Sequence, residues 1–378
     1  MEEKRIYFPH VHIRGFKLLS DLQIDQLSPI NLIAGDNNVG KSTLLEALYV
    51  LASDGSMDIM RQIACERMDL IPGRMDNRDI RQVIRQIDKQ RVLLPFFKDC
   101  KFELGEEICL QASERQFVKM RLIYAYETEE VTANSVIKKI NYIADSQQLS
   151  KTDEKLEKGI YVRSGKKEFF YSLEDEFRFS EKVILPNVHF VHTVSSSKDM
   201  NARLWDNISL TGLEQHVVDA LRIIEPQIEN LAFLEEPEVS LFSGRTRRVP
   251  YVSLRNGNNR YPLSIMGDGM NRILSIILAI VNSKNGICLI DEIENGIYYR
   301  KQLDLWKIIF FLVDQLNVQL FATTHSLDCV RSFSSMAENG NGEMNQLIRL
   351  EKRKKGPFAI CYAPQELKIA LDNEIELR

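Results

Sequence analysis

The sequence predicts an α/β fold. Three observations carry that prediction. Ile30, Leu32 and Ile33 form a dense apolar strand, as a strand covered on both faces requires. From Lys41 the period changes, and Leu44, Leu45, Leu48 and Leu51 recur at helical spacing. Two later apolar strings, "ICLI" from Ile287 and "VQLFAT" from Val318, read as strands separated by a helix.

The remaining elements follow in chain order. Val11, Ile13 and Phe16 mark an edge strand or hairpin near the N-terminus. Residues 53–100 read as helices with a turn at "IPG", and 101–127 as strands. The Lys/Glu-rich stretch 128–160 reads as a loop or small excursion, and "GIYVRSGKKEFFYSLE" as a hairpin around Ser164-Gly165. "VILPNVHFVHTV" is strand-like. Residues 211–231 read as a helix with Thr211 as N-cap. An Arg-rich polar turn, a long apolar helix from about 270 to 283 and a C-terminal hairpin at "QLIRLEKRKKGPFAICYA" complete the series. At about 100–200 residues per domain, 378 residues suggest two or three lobes. Residues 1–52 are assigned to the N-terminal strands and first loop of the core. Residues 53–182 form an insertion decorating that lobe, and 183–378 the helical lobe with the rest of the core.

Composition excludes several classes. Hydrophobic residues at 44% and charged residues at 27% describe a globular chain rather than a disordered one. A net charge of −4 makes attraction of the whole protein to nucleic acid or an anionic membrane unfavourable, so such binding needs a local basic patch. The six cysteines are scattered without CxxC spacing and read as reduced thiols, which points to the cytoplasm. The N-terminus lacks the apolar region of a secretory signal, and the run Ile276–Val281 is too short to span a bilayer.

"GDNNVGKS", Gly35 to Ser42, fits G-x-x-x-x-G-K-[ST] at every fixed position, between a strand and a helix. Gly35 and Gly40 let the loop turn backbone N–H groups inward around phosphate oxygens, across Asp36, Asn37, Asn38 and Val39. The helix that follows, with Thr43 in its first turn, points its positive dipole end at the anion. Lys41 supplies a point charge to the outer phosphates, and Ser42 a hydroxyl to Mg2+. The expected ligand is ATP with Mg2+.

Such a loop needs a neighbouring strand that delivers an acid for the metal. Two strings qualify locally: "LAFLEEPEVSLF", with Glu235 and Glu236, and "ICLIDEIENGIYY", with Asp291 and Glu292. The residues themselves do not choose between them.

The order of Gly35–Ser42, then "SIMGDGMNR", "CLIDE" and "ATTHS", resembles the heads of ABC-type P-loop ATPases, a group that includes SMC-like, RecF-like and OLD-like proteins. The likeness is greatest to stand-alone bacterial AAA-type ATPases of ABC-like architecture, it covers 1–52 and 183–378 well, and it implies a mixed β-sheet core with a helical lobe. The family's motif order implies that Asp291 and Glu292 do the chemistry, since the Leu231 string precedes the signature segment. By this resemblance Asp291 holds Mg2+, Glu292 takes a proton from the attacking water, and His325 contacts the γ-phosphate. Thr323 and Thr324 are placed to orient His325. On the alternation of a strand, Glu292 points away from Asp291. Ser264, Gly267 and Gly269 would meet nucleotide held by a second copy, which implies a homodimer or higher homo-oligomer with nucleotide at its interface. The segment is not LSGGQ, Asp268 adds a negative charge, and Tyr298 stands where relatives commonly carry His.

Two faces are candidates for partners. On a helical projection Arg74, Arg78, Arg81, Arg85 and Lys89 fall within about a quarter of the circumference. Arg245, Arg247, Arg248, Arg255 and Arg260 form a second cluster. Either is a contact for nucleic acid or an acidic partner, or a solvated face balanced by neighbouring carboxylates. The function expected is ATP hydrolysis whose nucleotide state controls assembly and a separately encoded effector, as in some bacterial phage-defence systems. The alternatives are a repair-type head acting on nucleic acid, and an ATP-binding scaffold with little hydrolysis. Nucleic acid is not required by any motif, and no membrane association is expected.

Overall fold

The computed structural model describes residues 6–67, 89–132, 135–144, 155–174, 185, 187–193, 198–237, 246–255, 259–337, 345–354 and 356–377. The "IPG" turn, the basic face from Arg74 to Arg85, and Arg245 lie outside the described residues.

Among the described residues the strands form three sheets. The central sheet has the order β16-β15-β3-β14-β13-β9. Its strands are β3 (Ile30–Gly35), β9 (Val188–Val191), β13 (Ile287–Ile290), β14 (Gln319–Thr323), β15 (Asn345–Arg353) and β16 (Gly356–Tyr362). All pairings are parallel except β15 with β16, the C-terminal hairpin. The register brings Val191 of β9 beside Ile290 of β13, and Ile290 beside Ala322 of β14. The strands therefore end nearly in step, and the residues just beyond them converge on one edge of the sheet, where open α/β sheets bind ligands.

The second sheet combines β1 (Val11–Phe16) and β2 (Leu19–Ile24) with strands of the 53–182 segment. These are β4 (Glu107–Gln111), β5 (Phe117–Thr132), β6 (Ser135–Ile143), β7 (Glu157–Ser164) and β8 (Lys167–Ser172). The described residues of 128–160 are thus mostly strand rather than a loop excursion. β5 runs on to Thr132 and β6 turns back along it, pairing Tyr124 with Ile143. Backbone pairing overrides the polar composition there, because a strand with one solvated face tolerates Lys and Glu.

Helix α1 (Lys41–Ala52) lies between the two sheets. Its Leu44 and Leu48 join Ile33, Leu289 and Phe321 of the central sheet and Leu110 and Val118 of the second in one core. Full burial of each such side chain contributes roughly 1.5–3 kcal/mol. The opposite face of the central sheet, with Ile30, Leu32 and Ala34, packs on the helical lobe. In chain order the other helices are α2 (Met57–Arg67), α3 (Lys89–Leu93), α4 (Lys198–Ile208), α5 (Glu214–Arg222), α6 (Asp268–Asn282), α7 (Gln302–Leu316), α8 (Leu327–Ala337) and α9 (Pro364–Asp372). Ile273, Leu274 and Ile277 of α6 and Trp306 of α7 lead that core. No helix among the described residues is long and apolar enough to cross a membrane.

The third sheet, β10 (Ile228–Pro237), β11 (Thr246–Leu254) and β12 (Arg260–Pro262), is antiparallel. It corrects two expectations. The helix expected over 211–231 is only α5; the chain turns at Pro226 and Ile228 already enters β10. Thr211 does not cap α5, since its hydroxyl donates to the Ile208 carbonyl and accepts from the Leu213 N–H. The Arg-rich stretch is strand rather than turn, with Arg247 and Arg248 opposite Glu236 and Glu235.

Gly35 closes β3 at φ 142°, and a Cβ there would stand 2.4 Å from the Leu350 carbonyl oxygen of β15. Gly267 has φ 100° but nothing within 4 Å of its Cβ position. Gly35→Ala therefore meets both backbone strain and a clash, whereas Gly267→Ala meets strain alone. In thermal unfolding, Gly35→Ala is expected to cost about 2–4 kcal/mol and Gly267→Ala about 1 kcal/mol. Equal melting temperatures for the two variants would contradict the close approach of β3 to β15.

Candidate functional site

The loop after β3 alternates in handedness. Asn38 has φ 60° and Gly40 φ 106°, while Asp36, Asn37 and Asn38 are exposed and Val39 is buried beneath them. Such alternation makes a concave row of backbone N–H groups suited to an anion. Gly40 caps α1, whose first turn carries Lys41, Ser42 and Thr43. Lys41 is 4% exposed, and its Nζ donates to the carbonyls of Gly35 at 2.7 Å and Asp36 at 2.8 Å. Burial lowers the Lys41 ammonium below its ordinary value, while Asp291, Asp36, Glu292 and Glu294 oppose the shift. One positive charge is thus held at the mouth of the loop.

Asp291 follows β13 and meets the loop directly. Ser42 Oγ donates to Asp291 Oδ1 at 3.0 Å. Thr323 Oγ1 donates to the same oxygen at 2.6 Å, and Thr193 Oγ1 donates to Oδ2 at 3.1 Å. The carboxylate is therefore fixed by hydroxyls from the ends of β14 and β9 and from α1. Thr323 also accepts the Glu292 N–H at 2.8 Å, so this threonine orients the acids rather than His325. Thr324 serves the backbone: its N–H donates to the Ile33 carbonyl at 3.0 Å and its hydroxyl accepts from Ser326 N–H at 3.1 Å.

Glu292 does not continue the strand. β13 ends at Ile290, and Glu292 takes φ 46°, a left-handed conformation uncommon for a residue with a Cβ. Simple alternation therefore does not describe it. The turn brings Glu292 Oε1 to 3.3 Å from His325 Nε2, with both side chains about one-third exposed. The His325 N–H donates to Glu294 Oε1 at 2.7 Å.

The structure thus brings Lys41, Ser42, Asp291, Glu292 and His325 together around the loop Gly35–Thr43. Glu235 and Glu236 stand instead in the separate third sheet, where Glu235 is exposed and Glu236 accepts a hydrogen bond from the Tyr251 hydroxyl. Ser264 and Gly267 are exposed, and Ile265 is 69% exposed. α6 begins at Asp268, two residues before the expected start, and Gly269 lies against the turn after Glu294, its Cβ position 3.1 Å from the Gly296 carbonyl oxygen. In the basic cluster Arg248 pairs with Asp206, while Arg255 and Arg260 are exposed.

Three residues escaped the sequence reading: Thr193, Glu294 and Arg272. A polar residue just beyond the short apolar string "VHFV" was the available signal for Thr193. Arg272 lies half-buried on α6 and donates to the carbonyls of His192 at 2.9 Å and Asp291 at 3.0 Å. Nothing in local sequence marks it.

Ser42 and Asp291 offer adjacent oxygens suited to a hard divalent cation. No group of three or more His, Cys, Asp or Glu side chains among the described residues could hold a metal alone. The pairing fits Mg2+, which takes one or two protein ligands and completes its shell with phosphate and water.

A family model described as an AAA ATPase domain matches residues 8–211 and 223–330, more than half of the chain. A protein of Helicobacter pylori named ATP/GTP phosphatase is 24% identical over 396 residues, covering 97% of this chain and 98% of its own. Among solved structures, an SMC head bound to the C-winged helix domain of ScpA aligns at 12% identity and TM-score 0.47, over 95% of this chain and 98% of its own. The SMC head domain from Thermotoga maritima aligns at 10% identity and TM-score 0.42, over 93% and 98%. The expected fold, an α/β P-loop ATPase with a mixed sheet and a helical lobe, is borne out by the sheet order and the loop between β3 and α1. The chain belongs to the AAA ATPase domain family, and it is an ATPase.

Proposed function

We propose that ATP is hydrolysed where Gly35–Thr43 meets Asp291, Glu292 and His325, and that bound ATP joins two copies of the chain. The contact of Ser42 Oγ with Asp291 Oδ1 at 3.0 Å carries this reading, because it puts the acidic string and the phosphate loop in one site.

In the proposed reaction the backbone N–H groups of Gly35–Gly40 and the Lys41 ammonium hold the triphosphate. Ser42 and Asp291 would hold Mg2+, which when bound neutralises phosphate charge. Glu292 accepts a proton from water as the water oxygen bonds the γ-phosphorus and the bond to ADP breaks. His325, held beside Glu292 at 3.3 Å, keeps that carboxylate aimed and offers a ring nitrogen to the γ-phosphate.

The exposed Ser264, Ile265 and Gly267 support an interface with a second copy. Tyr298 and Tyr299 are 59% and 49% exposed and follow the turn that packs on Gly269. Aromatic and apolar groups left in water at the start of a helix suit a partner surface. In this reading Ser264, Gly267 and Gly269 meet nucleotide on the partner copy, and a separately encoded effector follows the assembly. Antiviral defence is the setting that the family resemblance suggests.

Steady-state phosphate release tests the chemistry. Glu292→Gln is expected to lower kcat about 10²–10⁴-fold, while Glu235→Gln leaves it within about twofold. Loss on Glu235→Gln, or none on Glu292→Gln, overturns the choice of acids. Stimulation of wild-type turnover by DNA or RNA would favour a repair-type head instead. Sedimentation tests the assembly. With ATP and Mg2+, Glu292→Gln is expected to double in mass, and adding Gly267→Arg is expected to abolish the doubling while nucleotide still binds. A constant mass at saturating ATP contradicts the proposed dimer.

A further inference from the structure

Resting on the reading that Glu292 is the base, we infer that Arg272 is a positioning residue. It fixes the left-handed backbone that aims Glu292 and ties that backbone to the exposed segment at the start of α6.

A left-handed conformation at a residue with a Cβ persists only where its surroundings over-determine it. At Glu292 both sides of the residue are held. Its N–H donates to Thr323 Oγ1 at 2.8 Å, and its carbonyl accepts from Arg272 Nη2 at 3.5 Å. The same Nη2 donates to the Asp291 carbonyl at 3.0 Å, and Nη1 to the His192 carbonyl at 2.9 Å. One guanidinium therefore joins the loop after β9 to the loop after β13. His192 precedes Thr193, whose hydroxyl holds Asp291 Oδ2, so the link reaches the acid from both loops.

Among the described residues Arg272 is held by carbonyls, not by a paired side-chain carboxylate. Burial lowers its basicity, and Asp291, Glu292 and Glu294 counter that effect. A planar fork of N–H donors is the group that can bridge two backbone loops at fixed spacing, which an ammonium on a flexible stem cannot do.

Its position on α6 adds a second role. Arg272 lies about one turn beyond Gly267, and Gly269 packs on the turn at Gly296. The segment with exposed Ser264, Ile265 and Gly267 and the Glu292 peptide are thus two ends of one short connection through half-buried Arg272. Contact with a second copy at that segment would bear on Glu292 through Arg272.

The test uses the full chain and three variants, Arg272→Met, Glu292→Gln and the double variant, with kcat, KM for ATP, affinity for a non-hydrolysable ATP analogue and thermal midpoint read for each. Arg272→Met is expected to lower kcat about 10²-fold, the scale of a small misplacement at a reacting centre, with analogue affinity within about threefold of wild type. The double variant is expected to be no slower than Glu292→Gln, because Arg272 acts through Glu292. Losses that multiply, or analogue affinity falling in step with kcat, would overturn the positioning role. Full turnover in Glu292→Gln would instead overturn the base assignment, a distinguishable outcome. Where Arg272→Met does not fold, Arg272→Lys carries the test. It keeps the charge but not the fork, and is expected to lose about tenfold in kcat at unchanged affinity; wild-type kcat would overturn the proposal.

Discussion

The hydrogen bond from Ser42 to Asp291 joins residues 249 positions apart, and the rest of the site depends on it. It closes only because β3, β14 and β13 lie side by side and parallel, ending nearly in step. Chain order alone would leave these residues remote; the parallel register brings them to one edge. Dense apolar strands are what make that register possible, since β3, β13 and β14 are buried along their whole length. The polar residues that interrupt them are satisfied. Asn31 donates to the carbonyls of Ser28 and Leu320 and accepts from Gln346, pinning β3 between its neighbours.

Around this contact the site divides its work between side chains and backbone. Hydroxyls of Ser42, Thr193 and Thr323 fix both oxygens of Asp291. Glu292 is aimed differently, by a backbone turned out of the strand and held at both its N–H and its carbonyl. The difference suits the proposed roles. A metal ligand needs fixed oxygens, while a base needs a carboxylate oxygen open to water in a fixed direction.

Much of this was legible in the sequence, and the reasons are local. The phosphate loop requires glycines where the backbone turns, so its spacing survives in the string itself. Apolar density marked β3, β13 and β14. The choice between the Glu235 and Asp291 strings came from motif order. The third sheet then separates Glu236 from the site and gives it Tyr251 as partner. What was not legible is non-local or conformational. The polar surfaces of β5 and β6 hid a hairpin whose stability comes from cross-strand pairing. The helix expected through Leu231 fails because Ile228 onward pairs with β11. The left-handed turn at Glu292 has no sequence mark, as no glycine stands there. Arg272 reads as any helical arginine until the loops it bridges are seen together.

Lys41, Ser42, Asp291 and Glu292 together make the proposed nucleotide site. The most direct measurement is a crystal structure of the chain with a non-hydrolysable ATP analogue and Mn2+, the ion located by its anomalous signal. One peak is expected about 2.0–2.2 Å from Ser42 Oγ, with Asp291 bound to it directly or through water, and the Lys41 ammonium on the outer phosphates. A peak beside Glu235 and Glu236, or a triphosphate bound away from Gly35–Thr43, would contradict it.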